Sequence, residues 1–396
     1  MRIKPWLPLI GLVLSVFIFN MSEFTPVGLL TNIATDLEVS ESKAGMIISF
    51  YAWVVAIISL PMMLLFVKTE YKRTMLLMVA LFSFFQFISG IASSYEMLMI
   101  GRIGVAVAHS VFWAIVTPMA IKSVDIGYQR LAISAIAAGT SIAMIFGIPL
   151  GRIIGLALGW RMAFMTIAII GVFTFMMLLI VLPRMENPRT FTLKRLPDIL
   201  TNKVLIGIYI LTIVFVTGYY MGYSYIEPFL GQVAGMSDSM ITLALTVIGV
   251  AGIMAGFLFA RLYDAYRSTF MILSVGGSAA CMFLIYSLTD MGPTILLVCL
   301  IWGLCTTTFV MTFQNETIRS SVSDGVMVAT GLESGLFNLG IALGSMFGGM
   351  VLDDMGVEKV PLVGASIVFV SLLLLIAIVL PMIRARYAKD SSDKGI

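Results

Sequence analysis

Long apolar runs separated by short polar clusters repeat along the whole chain. Each run is about 20 residues or longer, which is the length that an α-helix needs to cross a bilayer. Short turn-forming or charged segments separate the runs. The pattern therefore predicts twelve membrane-spanning helices, at 5–30, 44–66, 74–93, 97–121, 131–156, 161–183, 204–227, 240–260, 270–289, 293–314, 329–352 and 361–383.

Composition excludes the main alternatives to a membrane protein. Hydrophobic residues make up 60% of the 396 residues and charged residues 11%, against about 45–50% and 25% in soluble domains. Three cysteines cannot form a disulfide framework. A net charge of +3 without a basic stripe argues against nucleic-acid binding, and the apolar excess argues against disorder. We expect an all-α polytopic membrane protein.

The distribution of basic residues predicts the orientation. If both termini are cytoplasmic, 19 of the 24 Lys and Arg residues lie on the cytoplasmic side and 3 lie in outer loops. The remaining two, Arg102 and Arg152, lie inside predicted spans. This asymmetry is typical of the positive-inside rule. We interpret the first run as an uncleaved helix, because it is too long for a signal peptide and no small-residue cleavage site follows it.

The longest internal loop divides the chain into two predicted halves. The expected organisation is an N-terminal six-helix half at 1–183, a cytoplasmic central loop at 184–203, a C-terminal half at 204–383 and a cytoplasmic tail at 384–396. Glycine recurs every four residues in the fifth and eleventh spans, which makes a flat face for close helix packing. The recurrence at an offset of 193 residues favours duplication, and the positions are Gly147, Gly151 and Gly155 (with Pro149 between them) and Gly340, Gly344 and Gly348.

Two predicted cytoplasmic loops share a charge pattern. Glu70 precedes Arg73 by three residues, with Lys72 between them, and Asp264 precedes Arg267 by the same interval. The pattern suggests a loop motif at the mouth of a helix pair, and a solvated positive-inside loop explains it equally well.

The sequence resembles the major facilitator superfamily, and within its drug/proton antiporter branch the bacterial sugar efflux and arabinose efflux permeases. The resemblance runs through nearly the whole chain, in the segments FNMSEFTPVGLL at 19–30, YAWVV at 51–55, RIGVAVAH at 102–109, GIPLGR at 147–152, YSYIEPF at 223–229 and FNLG at 337–340. It implies two six-helix halves, alternating access and a place in the bacterial inner membrane.

Two motifs depart from the superfamily pattern. The loop between the second and third spans lacks the family's glycine, which weakens the transfer of a gating role to Glu70, Lys72 and Arg73. The sugar-importer signature after the sixth span is poorly matched by residues 185–189. We therefore favour export over import.

Ionisable residues inside spans are costly and mark functional sites. Glu23 and Arg102 are both roughly 7–11 Å below the predicted outer surface, so a contact between them is possible. His109 is seven residues beyond Arg102, on nearly the same helix face. We predict that Glu23, Arg102 and His109 couple transport to protons, although His109 could be a hydrogen-bonded packing residue. Arg152 is expected to snorkel to the outer interface, and Glu227 to cap a helix break.

Aromatic and neutral polar residues in the spans suit a sugar or an amphipathic ligand. We expect the first half to supply proton coupling and the second half much of the substrate contact. The reason is that the intramembrane charges lie in the first half, namely Glu23, Arg102, His109 and Arg152. The candidate substrate-binding residues are Asn20, Tyr51, Trp53, His109, Trp113, Tyr219, Tyr220, Tyr223, Thr308 and Asn338.

The sequence therefore predicts a proton-coupled exporter of sugars, with protons, a small-molecule substrate and the lipid bilayer as its partners, acting as a monomer. A drug/proton antiporter of broad specificity is the alternative. A membrane-embedded enzyme is disfavoured by the lack of a catalytic constellation, and a passive sensor would not need the buried charges. One His and three scattered Cys make no metal site, and we expect no cofactor.

Overall fold

The computed structural model describes residues 6–66, 68–186, 196–289, 292–322 and 325–393. Within them, twelve helices are long and apolar enough to cross a membrane. In chain order, α1 to α12 are Leu7–Asp36, Glu41–Phe66, Tyr71–Gly90, Tyr95–Lys122, Ile126–Leu158, Trp160–Val181, Lys203–Ser224, Asp238–Leu262, Arg267–Ser287, Thr294–Ser320, Val328–Met355 and Val357–Arg386. Part of the predicted central loop and the last residues of the tail, 187–195 and 394–396, lie outside the described residues.

Each predicted span corresponds to one helix, but several helices are longer than predicted. α1 continues to Asp36 through a 3₁₀ turn at Thr25–Leu29, and α10 continues to Ser320. The added turns are polar, so the apolar pattern does not include them. Their acids have partners: Asp36 accepts bonds from Trp160 and Arg161, and Glu316 binds Arg267. Polar helix ends can therefore extend beyond the apolar core of the bilayer.

Helix packing in the first six helices recurs in the last six. α1 packs against α5 and α6, and α7 packs against α11 and α12. α3 packs against α4 and α6, and α9 packs against α10 and α12. The groups meet through α2 against α11 and α5 against α8. We refer to α1–α6 and α7–α12 as the two halves.

The two glycine ridges lie at equivalent places in the halves. A Cβ atom on Gly147, Gly151 or Gly155 of α5 would meet Met21, Thr25 or Leu29 of α1. On α11, a Cβ atom on Gly344 would clash with the backbone oxygen of Thr217 in α7. The remaining ridge positions also face α7 or the residue that follows it: Gly340 meets Val216, and Gly348 meets Tyr225. Only a missing side chain allows these helices to approach so closely.

The Gly344→Ala substitution is expected to destabilise the protein by about 1–3 kcal/mol, because α7 and α11 must move apart to fit the added methyl group. Gly331→Ala in the same helix is the control, since a Cβ atom there meets nothing within 4 Å. Thermal unfolding of the purified variants in detergent measures both. Equal unfolding midpoint temperatures for the two variants would mean that the close approach at Gly344 does not contribute to stability.

The halves bury apolar side chains against each other at one end of the bundle. We call the end that holds both chain termini the terminal side and the opposite end the distal side. The hydrophobic cluster shared by both halves includes Val27, Ile33 and Ile48 from the distal parts of α1 and α2. A second cluster, which contains Leu12 and Met119, belongs to the first half alone. The conformation described is thus closed on the distal side.

Candidate functional site

Glu23, His109 and Tyr51 form a buried polar group at the centre of the first half. The Tyr51 hydroxyl lies 2.7 Å from Nδ1 of His109, and Nε2 of the same ring lies 4.0 Å from Oε2 of Glu23. The Glu23 side chain is 15% exposed. If Tyr51 donates to Nδ1, the ring proton is on Nε2 and faces the carboxylate. The three residues can therefore share charge and protons.

Arg102 does not form the ion pair with Glu23 that the sequence made possible. Its Nη1 donates to the backbone oxygen and to the hydroxyl of Ser22, both at 3.0 Å, and Ser22 in turn donates to Gln86. The guanidinium also lies over the Tyr51 ring, 4.6 Å from its centroid. Arg102 is fully buried. Its charge acts on the Glu23 site through Tyr51 and through space rather than through a direct ion pair.

The cause of this correction is the direction of the side chains. Side chains tilt toward the N-terminus of their own helix. α1 and α4 run in opposite directions, and Glu23 reaches His109, two turns toward the terminal side from Arg102, whereas Arg102 reaches Ser22. Equal depth of their Cα atoms therefore does not bring the two groups together.

Other first-half candidates surround this group. Trp113 lies one turn from His109, with ring centroids 6.0 Å apart. Asn20 is buried one turn from Glu23 toward the terminal side, and its side chain donates to the Val16 carbonyl. Trp53 lies apart from them, partly buried against the shared distal cluster.

The second half places an aromatic cluster on α7. Tyr219, Tyr220 and Tyr223 contact one another, with centroids 5.2–5.7 Å apart. Trp302 of α10 packs against Tyr219 at 5.2 Å, and its indole nitrogen is buried without a hydrogen-bond partner among the described residues. The cluster offers ring faces together with hydroxyl and N–H groups.

A small cavity between the halves joins the two groups. Glu23 and Tyr51 line it from the first half, and Tyr220 and Ile341 line it from the second. Asn338 is three residues before Ile341, so it lies on the same face of α11, one turn toward the terminal side. Thr308 of α10 is partly exposed, and no described contact places it in this cavity. The Glu23 site and the tyrosine cluster therefore face each other across the centre of the bundle.

Asn338 has an unused acceptor. Its amide nitrogen donates to the Ser334 carbonyl at 3.0 Å, while Oδ1 is buried without a partner in the described part of the chain. The residue is 7% exposed. An unsatisfied buried acceptor is costly, and a ligand hydroxyl would satisfy it.

No group of three or more potential metal-binding side chains is found in the described ranges.

The comparisons with known proteins agree with this architecture. Residues 12–330 match the model of the Major Facilitator Superfamily. The chain belongs to the Major Facilitator Superfamily. It is 38% identical over 356 residues to a probable sugar efflux transporter of Helicobacter pylori strain J99, and the match covers 89% of this chain and 90% of the relative. This superfamily member is thus a multi-pass membrane transporter, and a homologue of a sugar efflux protein.

Solved structures of the superfamily share the fold. The nucleoside transporter NupG has a TM-score of 0.76 at 14% identity, over 94% of this chain and 99% of its own. The peptide transporter POT in complex with sulfate has a TM-score of 0.76 at 11% sequence identity, and the match covers 95% of each chain. A bacterial homologue of the human lysosomal transporter Spinster, in an inward-facing and unoccupied conformation, has a TM-score of 0.72 at 13% sequence identity. The match covers 97% of this chain and 96% of the homologue. At these identities the likeness extends to the fold alone.

The chain also contains a network of charged residues at the distal side, formed by Arg152, Glu227 and Asp238. We name it the distal network. Arg152 is completely buried and donates to Glu227 at 3.2 Å and to Asp238 at 2.7 Å, across the two halves. It also donates to the Gly28 carbonyl. Glu227 accepts two further bonds from Thr31.

Two expectations are corrected by the distal network. Arg152 does not snorkel to the interface, because its buried guanidinium is bound by the buried Glu227, by the Gly28 carbonyl and by the more exposed Asp238. Glu227 does more than cap a helix break, since it binds α1 and α5 of the opposite half. These contacts connect residues 75 or more positions apart, so local sequence did not reveal them.

The charged loops of the terminal side differ between the halves. Glu70 and Arg73 pair with each other at 3.3 Å near the surface, and Lys72 donates to the carbonyls of Leu179 and Leu182 at the end of α6. In the second half the equivalent residues reach α10 instead. Asp264 binds Arg319 at 2.6 Å, and Arg267 binds the buried Glu316, which also accepts a bond from Tyr263.

The sequence interpretation placed the intramembrane charges in the first half, and this was wrong. Glu316 and Glu333 are buried in α10 and α11. Glu333 falls inside the span predicted at 329–352, so a lone acid in an apolar run was the signal that could have found it. Glu316 lies just beyond the predicted end of the tenth span, where the apolar pattern stops.

Proposed function

We propose that this transporter exports a sugar or a related small polyol-like molecule in exchange for protons, by alternating access between the two halves. The observation that carries the proposal is the cavity where Glu23 and Tyr51 of one half face Tyr220 of the other. It brings a protonatable group and a sugar-compatible aromatic surface to one place. The 38% identity to a probable sugar efflux transporter supports the substrate class.

In this proposal, export is coupled to protons because the substrate and the proton compete for one site. A buried carboxylate is stable when it is protonated or when it faces a positive group. Loss of a proton from Glu23 places a charge beside His109 and close to the Tyr220 and Tyr223 hydroxyls. Substrate affinity and proton affinity are then linked reciprocally, so that binding of one reduces binding of the other.

The distal network is the gate in this scheme. In the conformation described it seals the distal side, so substrate enters from the terminal side. We further propose that the chain lies in a bacterial inner membrane with both termini cytoplasmic, which makes the terminal side the cytoplasmic entrance. Release outward then requires Arg152 to leave Glu227. A single chain contains both halves, so a monomer is sufficient.

A broad drug/proton antiporter is the second candidate. The apolar lining of the central cavity by Phe24, Val27 and Ile48 favours it. Counterflow in proteoliposomes with a panel of sugars and cationic drugs separates the candidates. Counterflow of labelled sugar that other sugars inhibit and drugs do not inhibit supports the first candidate. Counterflow of a labelled drug without any counterflow of sugar supports the second.

Asn338→Ala is expected to weaken sugar binding by about 1–3 kcal/mol, the value of one or two hydrogen bonds. The physical reason is the free Oδ1, which we assign to a substrate hydroxyl. Equilibrium binding of the sugar identified by counterflow measures the change. Asn32→Ala, at the distal end of α1, is the matched control and should bind normally. Wild-type affinity in Asn338→Ala would leave Asn338 as a packing residue.

A further inference from the structure

A second buried carboxylate lies in the opposite half, about 12 Å along α11 from Ile341, which lines the Glu23 cavity. Glu333 is 8% exposed, and it is near the terminal end of α11, whereas Glu23 is in the distal half of α1. Its Oε2 atom has no hydrogen-bond partner among the described residues. The proposed transport cycle makes no use of this group.

The groups around Glu333 do not compensate a negative charge. From α7, Tyr209 faces it, but the Tyr209 hydroxyl donates to the Ala329 carbonyl at 2.9 Å. From α10, Thr317 faces the carboxyl group, yet its buried hydroxyl also has no hydrogen-bond partner among the described residues.

Within the described ranges, none of the remaining packed elements places a cation on Glu333. The neighbouring Glu316 is bound by Arg267 and Tyr263. The short helix Leu196–Thr201, which packs against α7 and α11, contributes one exposed acid, Asp198. α2 approaches α11 at Gly335 through the Ala56 backbone. Arg386 uses Nη1 on the Ser320 carbonyl.

The packing around Glu333 is apolar. Tyr209, Val328 and Ala329 form a separate buried cluster with Ile199 and Leu205. An ionised carboxylate enclosed by apolar and neutral groups carries a desolvation cost of several kcal/mol, which neutralisation removes. In membrane proteins such lone acids mark ion or proton sites.

We propose that Glu333 is a second proton-binding site, at the junction of α7, α10 and α11, and that it holds its proton in the distal-closed conformation. The inference does not depend on sugar export or on the role of Glu23. The bound proton makes the α7–α11 contact at the terminal side neutral. Ionisation would require water or a cation to enter between these helices.

Infrared spectroscopy of the purified protein tests the proposal directly, because a protonated buried carboxyl gives a carbonyl stretching band separate from that of ionised carboxylates. We expect Glu333→Gln to lose one such band that Glu23→Gln retains. Glu333→Asp keeps the carboxyl and should keep a shifted band. Glu96→Gln, at an exposed acid at the start of α4, is the control and should leave the region unchanged.

Proton binding gives a second readout. On acidification, a pH indicator should report one proton fewer taken up by each molecule of Glu333→Gln than by the wild type. A carboxyl spectrum in Glu333→Gln identical to that of the wild type over the whole titration would overturn the proposal. A band that disappears when sodium replaces choline at constant pH would overturn it too, since a metal cation would then occupy the site.

Discussion

The Glu23→Gln variant is expected to lose proton-driven export and to retain sugar counterflow. Glutamine keeps the size and hydrogen bonding of the side chain but cannot release a proton. Counterflow needs substrate exchange alone, so an intact binding site is sufficient for it. Uphill export needs a group that alternates between charge states, and Glu23 is the acid that lines the central cavity beside His109.

Transport by reconstituted Glu23→Gln, with and without an imposed pH gradient, measures both properties. Glu96→Gln changes an exposed acid and should transport like the wild type, which controls for the loss of a carboxylate as such. Gradient-driven export by Glu23→Gln at the wild-type rate would remove Glu23 from the coupling mechanism.

The Arg152→Gln substitution is expected to open the distal side. It leaves Glu227 buried without its cationic partner, and breaking a buried ion pair costs about 3–5 kcal/mol. The substitution therefore destabilises the distal-closed conformation, because the Arg152–Glu227 pair joins the two halves in that conformation. A difference of this size changes the ratio of two conformations by about a hundredfold or more.

Spin labels at Ser40→Cys and Ser239→Cys, in a background without the native cysteines, report the opening as a longer distance. Arg161→Gln is the matched control, because Arg161 binds Asp36 at the same level but within the first half. Asp238 is 68% exposed, so Asp238→Asn should have a small effect. An unchanged distance in Arg152→Gln would show that the distal network does not hold the gate.

The fold could be predicted from the sequence because hydropathy and glycine spacing are local signals. In the part of the chain that the structure describes, each of the twelve predicted runs corresponds to one helix. The spacing of Gly340, Gly344 and Gly348 places all three on one face of α11. Helix ends such as Asp36 and Glu316 were underestimated, because polar turns that pair with other helices continue beyond the apolar pattern.

The candidate site was less predictable because depth and helix face do not fix side-chain direction. Glu23 and Arg102 share a depth, but antiparallel helices aim their side chains apart, and Ser22 takes the guanidinium instead. The Arg152–Glu227 pair depends on how two halves dock, which no single span encodes. The role of His109 beside Tyr51 likewise needed the packing of α2 against α4.

The most direct test of the central claim is sugar transport by the wild-type protein in proteoliposomes under an imposed proton gradient. We predict that sugar accumulates against its own gradient in exchange for protons, and that a protonophore abolishes the accumulation while leaving counterflow intact. Sugar movement that stays downhill and ignores both the gradient and the protonophore would contradict the account.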